Sequence, residues 1–410
     1  MSGVPTSGQL PSTASSRLPS LTSLRFILAC PVIWYHMSFS SGLFDGSLHD
    51  GLGTVYPFAA GAVSGFFVLS GFVLAWVHRP DDRPRAFLRR RLWKIFPNHL
   101  LGWTATLVFF TVTVAQVPVV APPGHDATSA LTSLFLVQDW VPDSDVFGGF
   151  NTPAWSISCE LFFYALFPAL IVLVRKIPAE RLRRAWLGLT AAILLMPLVS
   201  TLVPGPKLYD WFPINEHSMW FSYNFPPVRL LEFVLGIVTA RMLQTGVWPR
   251  VSNWVVAGGF VVFVLALPAL PPQYAFATGM APMLAALIAK IAVADQEGRS
   301  RLLPRPALIT LGDASYALYI THFPLMMAVR HALGREPDLS TGARFGVVFA
   351  MIAVSVALSV VIHRYFELPL MRRFSKSRTS QRVTARPESA TAPKTEPEPE
   401  SAQDRAPSAT

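Results

Sequence analysis

Long apolar runs recur along almost all of this 410-residue chain, and they constrain its fold more than any other feature. Ten stretches are each close to the ~20 residues that an α-helix needs to cross a ~30 Å hydrocarbon layer. They are continuously apolar rather than alternating, which favours helices over a barrel. With 52% hydrophobic and 14% charged residues, the chain is too apolar for an ordinary soluble protein of this length. We therefore predict an all-α, polytopic membrane helix bundle.

The predicted spans divide the chain into a membrane domain, at 21–372, and two polar ends. Segments 1–20 and 373–410 are rich in Ser, Pro and Thr and have no apolar period, so we predict that both are disordered. The approximate bounds of the spans are 22–40, 56–78, 98–119, 153–174, 185–203, 226–243, 252–270, 273–294, 307–330 and 342–364.

Basic residues are distributed unevenly over the segments that join the spans. Segments on one side carry eighteen Lys and Arg residues, whereas those on the other side carry three, Lys207, Arg330 and Arg335. The positive-inside rule then predicts that both termini are cytoplasmic, in a multi-pass protein of the plasma or inner membrane. It also explains the net charge of +10 without nucleic acid, which we do not expect as a partner.

The first span carries two ionisable residues, Arg25 and His36, in an otherwise apolar run. They are eleven residues apart, so on an α-helix they share a face to within about 20° and lie roughly 16 Å apart along the axis. Ionisable residues inside membrane helices are costly and usually face a protein interior or a water-filled cavity. Both residues are therefore candidates for a functional site.

Among the other ionisable residues of the predicted spans, four are further candidates, namely Glu160, Arg229, Glu232 and His322. Arg229 and Glu232 are three residues apart and are predicted to pair within one helix. Glu160 could orient His36, hold an acceptor hydroxyl or make an interhelix hydrogen bond. His322 could be a second base or a satisfied interior histidine. The two cysteines, Cys30 and Cys159, show no metal-ligand spacing, and we predict no metal site.

A basic cluster precedes the third span, in the sequence FLRRRLWKIFP. Its residues Arg90, Arg91 and Lys94 could bind anionic lipid headgroups, or equally the phosphates of a nucleotide-bearing acyl donor, because a guanidinium matches phosphate in a bidentate way. Spacing alone does not decide between these ligands.

Small and polar residues accompany the charged ones in three spans. In the second span, Ser70 lies among glycines that favour close helix packing, with a passage for an acyl chain as the alternative. In the fourth span, Trp155 and Ser156 precede Glu160, and Ser156 shares its face. In the ninth, Ser315, Tyr319 and His322 share another face.

Taken in order, these segments resemble the acyltransferase-3 family of integral membrane acyltransferases. The resemblance covers about residues 20–372 and rests on the joint occurrence of seven pieces: LTSLRFILACPVIWYH, SGFFVLSGFVL, FLRRRLWKIFP, PAWSISCELFFYALFP, VRLLEFVLG, SYALYITHFPL and YFELPL.

The resemblance implies transfer of an acyl group from acyl-CoA to a hydroxyl, with acyl-CoA as a co-substrate and no permanently bound cofactor. It implies that His36 is essential and that the basic motif, together with Arg25, engages the donor. Where the family commonly has a second arginine, this chain has Lys94, which keeps the charge but loses the planar fork. We expect His36 to be the general base, Glu160 to orient it, and Tyr319 or His322 to stabilise the oxyanion.

Three hypotheses for the function remain: two are acyltransferases with different acceptors, and one is a transporter. We favour a small secondary metabolite, such as a macrolide, as the hydroxyl-bearing acceptor. The first alternative is a cell-envelope polysaccharide O-acetyltransferase. The second, from another functional class, is a transporter or flippase of a lipid-linked glycan that uses the same polar interior as a pathway.

Overall fold

The computed structural model describes residues 18–113, 118–210, 212–276 and 279–374, and each predicted span contains a helix within these ranges. We label these helices α1 to α10. Their bounds are α1 Pro19–Tyr35, α2 Tyr56–Val77, α3 Pro84–Thr113, α4 Trp155–Arg175, α5 Ala179–Ser200, α6 Pro226–Gln244, α7 Asn253–Ala266, α8 Ala281–Gln296, α9 Pro306–Leu333 and α10 Thr341–Ile362.

Short helical segments lie between and beyond the long helices. The short α-helices are Gly46–Gly53, Ala127–Leu134, Ser144–Phe147, Glu216–Met219, Gln273–Phe276 and Leu368–Phe374. Three further segments are 3-10 helices, Gln138–Trp140, Thr152–Ala154 and Leu267–Ala269, and three are π-helical turns, His36–Ser40, Trp220–Asn224 and His363–Glu367.

The all-α prediction is confirmed for the described residues, which contain no strand and only an isolated bridge between Lys207 and Asn215. Six helical segments in this part of the chain are long and apolar enough to cross a membrane, which supports a multi-pass membrane protein. The count of ten spans and the cytoplasmic location of both termini remain predictions.

Several predicted boundaries differ from those of the structure, most of all at the start of the third span. Helix α3 begins at Pro84 rather than at 98, so the basic cluster forms its first turns. The prediction counted only apolar residues, whereas Arg and Lys are good helix formers and extend the helix beyond the apolar layer. The predicted disordered ends lie outside the described residues, except that α1 already begins at Pro19 and the last short helix continues to Phe374.

Glycines set the closest helix contacts. A Cβ atom added to Gly71 on α2 would lie 2.0 Å from the carbonyl oxygen of Phe233 on α6, and one added to Gly236 would lie 2.0 Å from that of Val68. The same holds between α9 and α1, where a Cβ atom added to Gly312 would lie 2.0 Å from the carbonyl oxygen of Thr22. Without side chains at these positions the backbones approach closely, and the resulting α1–α9 contact positions the site described next.

Candidate active site

Two histidines from different helices meet in the interior of the bundle. His36 begins the π-helical turn that follows α1, a rare geometry that often occurs at functional sites. Its Nδ1 atom lies 2.8 Å from Nε2 of His322 on α9, and the two rings are nearly parallel, with centroids 5.1 Å apart. His322 is fully buried. The structure thus brings together two residues that the sequence identified separately.

The hydrogen-bond network assigns the tautomers of this pair. Nδ1 of His322 lies 3.1 Å from the carbonyl oxygen of Leu318, which can only accept, so this nitrogen carries the ring hydrogen. Nε2 of His322 is then an acceptor, and Nδ1 of His36 donates to it. This arrangement leaves Nε2 of His36 with a free lone pair. The pair can therefore supply a base.

His36 lines an outer cavity with an empty volume of about 1200 Å³. Its walls come from α1, α2, α4 and α9 and from the segments that follow α1 and that join α3 to α4, α5 to α6 and α7 to α8. Many of the side chains that line it are aromatic, namely Tyr35, Phe39, Tyr56, Phe147, Trp155, Tyr209, Phe212, Tyr223, Phe276, Tyr319 and Phe323. Such a lining suits a ligand with a large apolar or ring surface.

Arg25 lines a second, inner cavity, with an empty volume of about 700 Å³. Lys94 and Glu160 also line it, so two cations and one carboxylate face the same space. The hydroxyl-bearing side chains on its wall are Ser70, Ser156, Tyr164, Ser315, Tyr316 and Tyr319. This chemistry suits an anionic or strongly polar ligand group.

Val63 and Tyr319 line both cavities, so the inner and outer cavities adjoin at these two residues. The Tyr319 hydroxyl is held by that of Ser156, 3.0 Å away. The face predicted to carry Ser315, Tyr319 and His322 thus runs along the interior of the bundle. Ser315 lies at the inner cavity, Tyr319 at the junction of the cavities and His322 beside His36.

The structure separates the members of the basic cluster. Only Lys94 lines the inner cavity. Arg90 forms an ion pair with Asp82, and the Arg91 guanidinium lies over the rings of Phe87 and Tyr164, 5.5 and 5.8 Å from their centroids. Lys94 is therefore the member of the cluster that reaches the inner cavity.

Glu160 does not occupy the place expected of it as the residue that orients His36. It accepts a hydrogen bond from Tyr164 at 3.1 Å, and Tyr164 lies 3.1 Å from the Ser70 hydroxyl, all on the wall of the inner cavity. His322 makes the ring contact to His36 instead. Helical spacing predicts the face that a residue shares but not the helix that this face meets.

The predicted pair of Arg229 and Glu232 is confirmed, with 3.1 Å between their charged atoms and both side chains fully buried. Arg229 also donates to the Ser64 hydroxyl at 3.2 Å, and its guanidinium lies 5.9 Å from the ring of Trp155. Trp155 thus separates this ion pair from the outer cavity, which it lines. Its role is that of a wall.

Glu367 accepts hydrogen bonds from Asn98 at 2.9 Å and from His363 at 3.0 Å. It is buried where α3 meets the last π-helical turn. The charged residue is thus part of a helix contact.

A buried arginine holds the outer end of the helix that carries His36. Arg330 on α9 donates to the carbonyl oxygens of Ser41 at 2.6 Å, Pro118 at 3.0 Å and Gly42 at 3.3 Å. Ser41 and Gly42 follow directly after the π-helical turn, and Pro118 lies in the segment that joins α3 to α4. Sequence reasoning counted Arg330 only as an outer charge, and its position eight residues after His322 gave no signal of this role.

Two carboxyl groups in the segment that joins α3 to α4 have pKa values shifted in opposite directions. Hydrogen bonds from the Ser129 hydroxyl and backbone N–H lower the pKa of Asp126, which caps Ala127–Leu134. Burial raises the pKa of Asp139 well above its ordinary value, and hydrogen bonding to Ser158 and Asn224 opposes that rise. Asn224, which sequence reasoning missed, also lines the outer cavity. Among the described residues, no group of three His, Cys, Asp or Glu side chains could hold a metal ion.

Comparison with known proteins connects this geometry to an enzyme family. The acyltransferase-3 family model, an acyltransferase domain, matches residues 18–364. The chain is 37% identical to Acyltransferase MdmB of Streptomyces mycarofaciens over 375 residues, which cover 88% of this chain and 94% of that protein. No solved structure matches significantly.

More distant relatives include a protein named for exopolysaccharide production and one named as an O-acetyltransferase. The exopolysaccharide production protein ExoZ of Rhizobium meliloti is 27% identical over 80% of this chain and 94% of its own. The O-acetyltransferase OatA of Staphylococcus aureus is 22% identical over 88% of this chain, which spans 58% of OatA. The family match covers the helices that build both cavities, and it favours an enzyme over a transporter. This chain belongs to the acyltransferase-3 family of O-acyltransferases.

Proposed function

We propose that this protein transfers an acyl group from acyl-CoA to a hydroxyl of a small secondary metabolite, with His36 as the general base. The observation that carries this proposal is the His36–His322 pair, which leaves a basic nitrogen at the wall of a ligand-sized cavity. Imidazole has an ordinary pKa close to working pH, and for this reason it is the most frequent general base in enzymes.

In the proposed reaction, Nε2 of His36 takes the proton of the acceptor hydroxyl while the hydroxyl oxygen attacks the thioester carbonyl. The C–S bond then breaks, and the CoA sulfur leaves with the proton that His36 has held. By accepting from Nδ1 of His36, His322 keeps Nε2 of His36 unprotonated before the reaction, and it shares the positive charge that forms during it. The Tyr319 hydroxyl at the junction of the cavities is the proposed donor to the developing oxyanion.

The inner cavity is the proposed donor site. Arg25 and Lys94 provide cations for the phosphates of acyl-CoA, with Arg90 and Arg91 on the same helix as Lys94. If both termini are cytoplasmic and ten helices span the membrane, this cavity opens towards the cytoplasmic donor pool. The acyl end would then pass Val63 and Tyr319 to reach His36, about 16 Å farther along α1.

The outer cavity is the proposed acceptor site. Its aromatic walls favour a compact acceptor with large ring surfaces, such as a macrolide, over a freely hydrated polymer. The similarity to ExoZ and OatA keeps a cell-envelope polysaccharide as the second candidate, because aromatic rings also stack on sugars.

Release of CoA tests the proposed reaction directly. Purified protein in lipid nanodiscs should liberate free thiol from acyl-CoA only when an acceptor is present, and mass spectrometry should find the acylated acceptor. Comparing metabolites of a deletion strain with those of its parent identifies the acceptor class. An envelope polysaccharide that loses acyl groups, with unchanged small metabolites, would overturn the favoured acceptor and support the second.

A further inference from the structure

Helix α7 stands at the edge of the bundle and is hardly packed against it. Of its residues, only Val256 is buried, whereas Trp254 is 86% and Leu265 75% exposed. Its apolar character suits contact with lipid chains rather than water. Because α7 packs so little, an open crevice separates it from α5 and α8.

The crevice is almost entirely apolar and has an empty volume of about 940 Å³. Trp186 and Leu187 of α5 line one side, Val255 and Gly259 of α7 another, and Met283 of α8 a third. A long, weakly packed apolar groove of this kind fits a flexible hydrocarbon chain better than a rigid protein segment.

A basic pocket continues from one end of this crevice, and the two share Trp248, Pro249 and Val251. The basic side chains that line the pocket are Arg250, Lys290, Arg299 and Arg301, and its single carboxylate, Glu297, is paired with Arg299. The Lys290 ammonium donates to the carbonyl oxygen of Val251 at 2.6 Å, which fixes this charge at the mouth of the crevice. Three positive charges therefore remain without a carboxylate in the pocket.

We propose that the crevice and the basic pocket together bind one anionic phospholipid, with its phosphate at Arg250, Lys290 and Arg301 and an acyl chain between α5, α7 and α8. The basic pocket alone would accept any phosphate, and the apolar crevice alone would accept any lipid. Their continuity selects a molecule that has both parts. Neither shares a lining residue with the inner or outer cavity, so this site is independent of the proposed reaction.

Native mass spectrometry of the detergent-purified full chain tests this site, with phosphatidylglycerol and phosphatidylcholine as the two probes. The unmodified protein should retain one phosphatidylglycerol in preference to phosphatidylcholine. The double variant Arg250→Gln/Arg301→Gln should weaken phosphatidylglycerol binding about 25-fold at low ionic strength, because each basic residue near a headgroup contributes roughly fivefold. Phosphatidylcholine binding should change little.

The matched control is Arg181→Gln/Arg184→Gln, which removes the same charge from exposed positions on α5 outside the groove. This control should bind phosphatidylglycerol like the unmodified protein, and glycerol phosphate should not compete. If both double variants lost the same phosphatidylglycerol affinity, diffuse charge attraction would explain the binding, and the proposed site would be wrong. Retention without headgroup preference, or full competition by glycerol phosphate, would overturn it as well.

Discussion

The inner and outer cavities adjoin but differ in the groups that line them. The inner cavity is lined by two cations, a carboxylate and several hydroxyl groups, whereas the outer cavity holds one histidine and many aromatic rings. On the proposed function, this difference assigns recognition of the charged donor and the reaction at the hydroxyl to different side chains. Changes at the inner cavity should therefore alter KM for the donor, and changes at the histidine pair should alter kcat.

The largest expected effect is that of His36→Ala. Removing a general base typically costs ~10²–10⁴-fold in rate, so we expect transfer to fall by about 1000-fold, with donor binding retained in the separate inner cavity. The acylated product, measured by mass spectrometry, reports the loss, and gel filtration reports correct folding. Near-normal product formation by this variant would contradict the proposed mechanism.

A second comparison separates His322 from Glu160. His322→Ala should lower kcat by about 100-fold, because His36 loses the partner that sets its tautomer. His322→Gln should recover part of this rate, since its amide oxygen can accept from Nδ1 of His36. Glu160→Gln should change KM for acyl-CoA more than kcat. If Glu160→Gln lowered kcat as strongly as His322→Ala, the original assignment of Glu160 as the orienting residue would be restored.

A third comparison lies within the basic cluster. Lys94→Gln should raise KM for acyl-CoA about tenfold, because a hydrogen bond to a charged group contributes ~1.5–3 kcal/mol. Arg90→Gln is the matched control: Arg90 already pairs with Asp82, and its loss should raise KM less than threefold. Initial rates over a range of acyl-CoA concentrations measure both. Unchanged donor kinetics in the two variants would assign the cluster to topology or lipid instead.

The smallest effect concerns the contact between α1 and α9. Gly312→Ala places a Cβ atom against the Thr22 carbonyl, so the two helices must move apart, at a cost of ~1–3 kcal/mol of stability. Because this contact positions His36 against His322, kcat should fall several-fold while donor KM stays constant. Gly346→Ala on α10, where nothing lies within 4 Å of the added atom, is the control and should change neither. Thermal unfolding and initial rates check both variants.

Hydropathy predicted where the long helices lie, because a run of apolar residues reports membrane crossing whatever its neighbours are. It missed the start of α3, since charged residues that continue a helix carry no apolar signal. It also gave no account of the segment joining α3 to α4, which contributes Phe147 to the outer cavity, or of the segment joining α5 to α6, which contributes Tyr209 and Phe212. These segments lack periodicity, and only tertiary contacts give them a shape.

Residues of the candidate site could be identified from the sequence because ionisable groups are costly inside a membrane. That reasoning found Arg25, His36 and His322, but it could not pair them. Which helices meet depends on close contacts such as that of Gly312 with Thr22, and a glycine in an apolar run does not reveal its partner. For this reason the sequence did not reveal that His36 contacts His322 rather than Glu160.

Arg330 has a consequence for the conditions under which the enzyme can work. The ligands of its guanidinium are backbone carbonyl oxygens from Ser41, Gly42, Pro118 and Gly334, groups that neither gain nor lose a proton in water. If the partners of Arg330 were carboxylates, their protonation in acid would weaken these hydrogen bonds. Backbone carbonyls remain acceptors, and the guanidinium keeps its charge, from acid to neutral pH. On the predicted topology Arg330 lies towards the cell exterior. We therefore expect the position of His36 to be unaffected by the external pH, which the cell does not control.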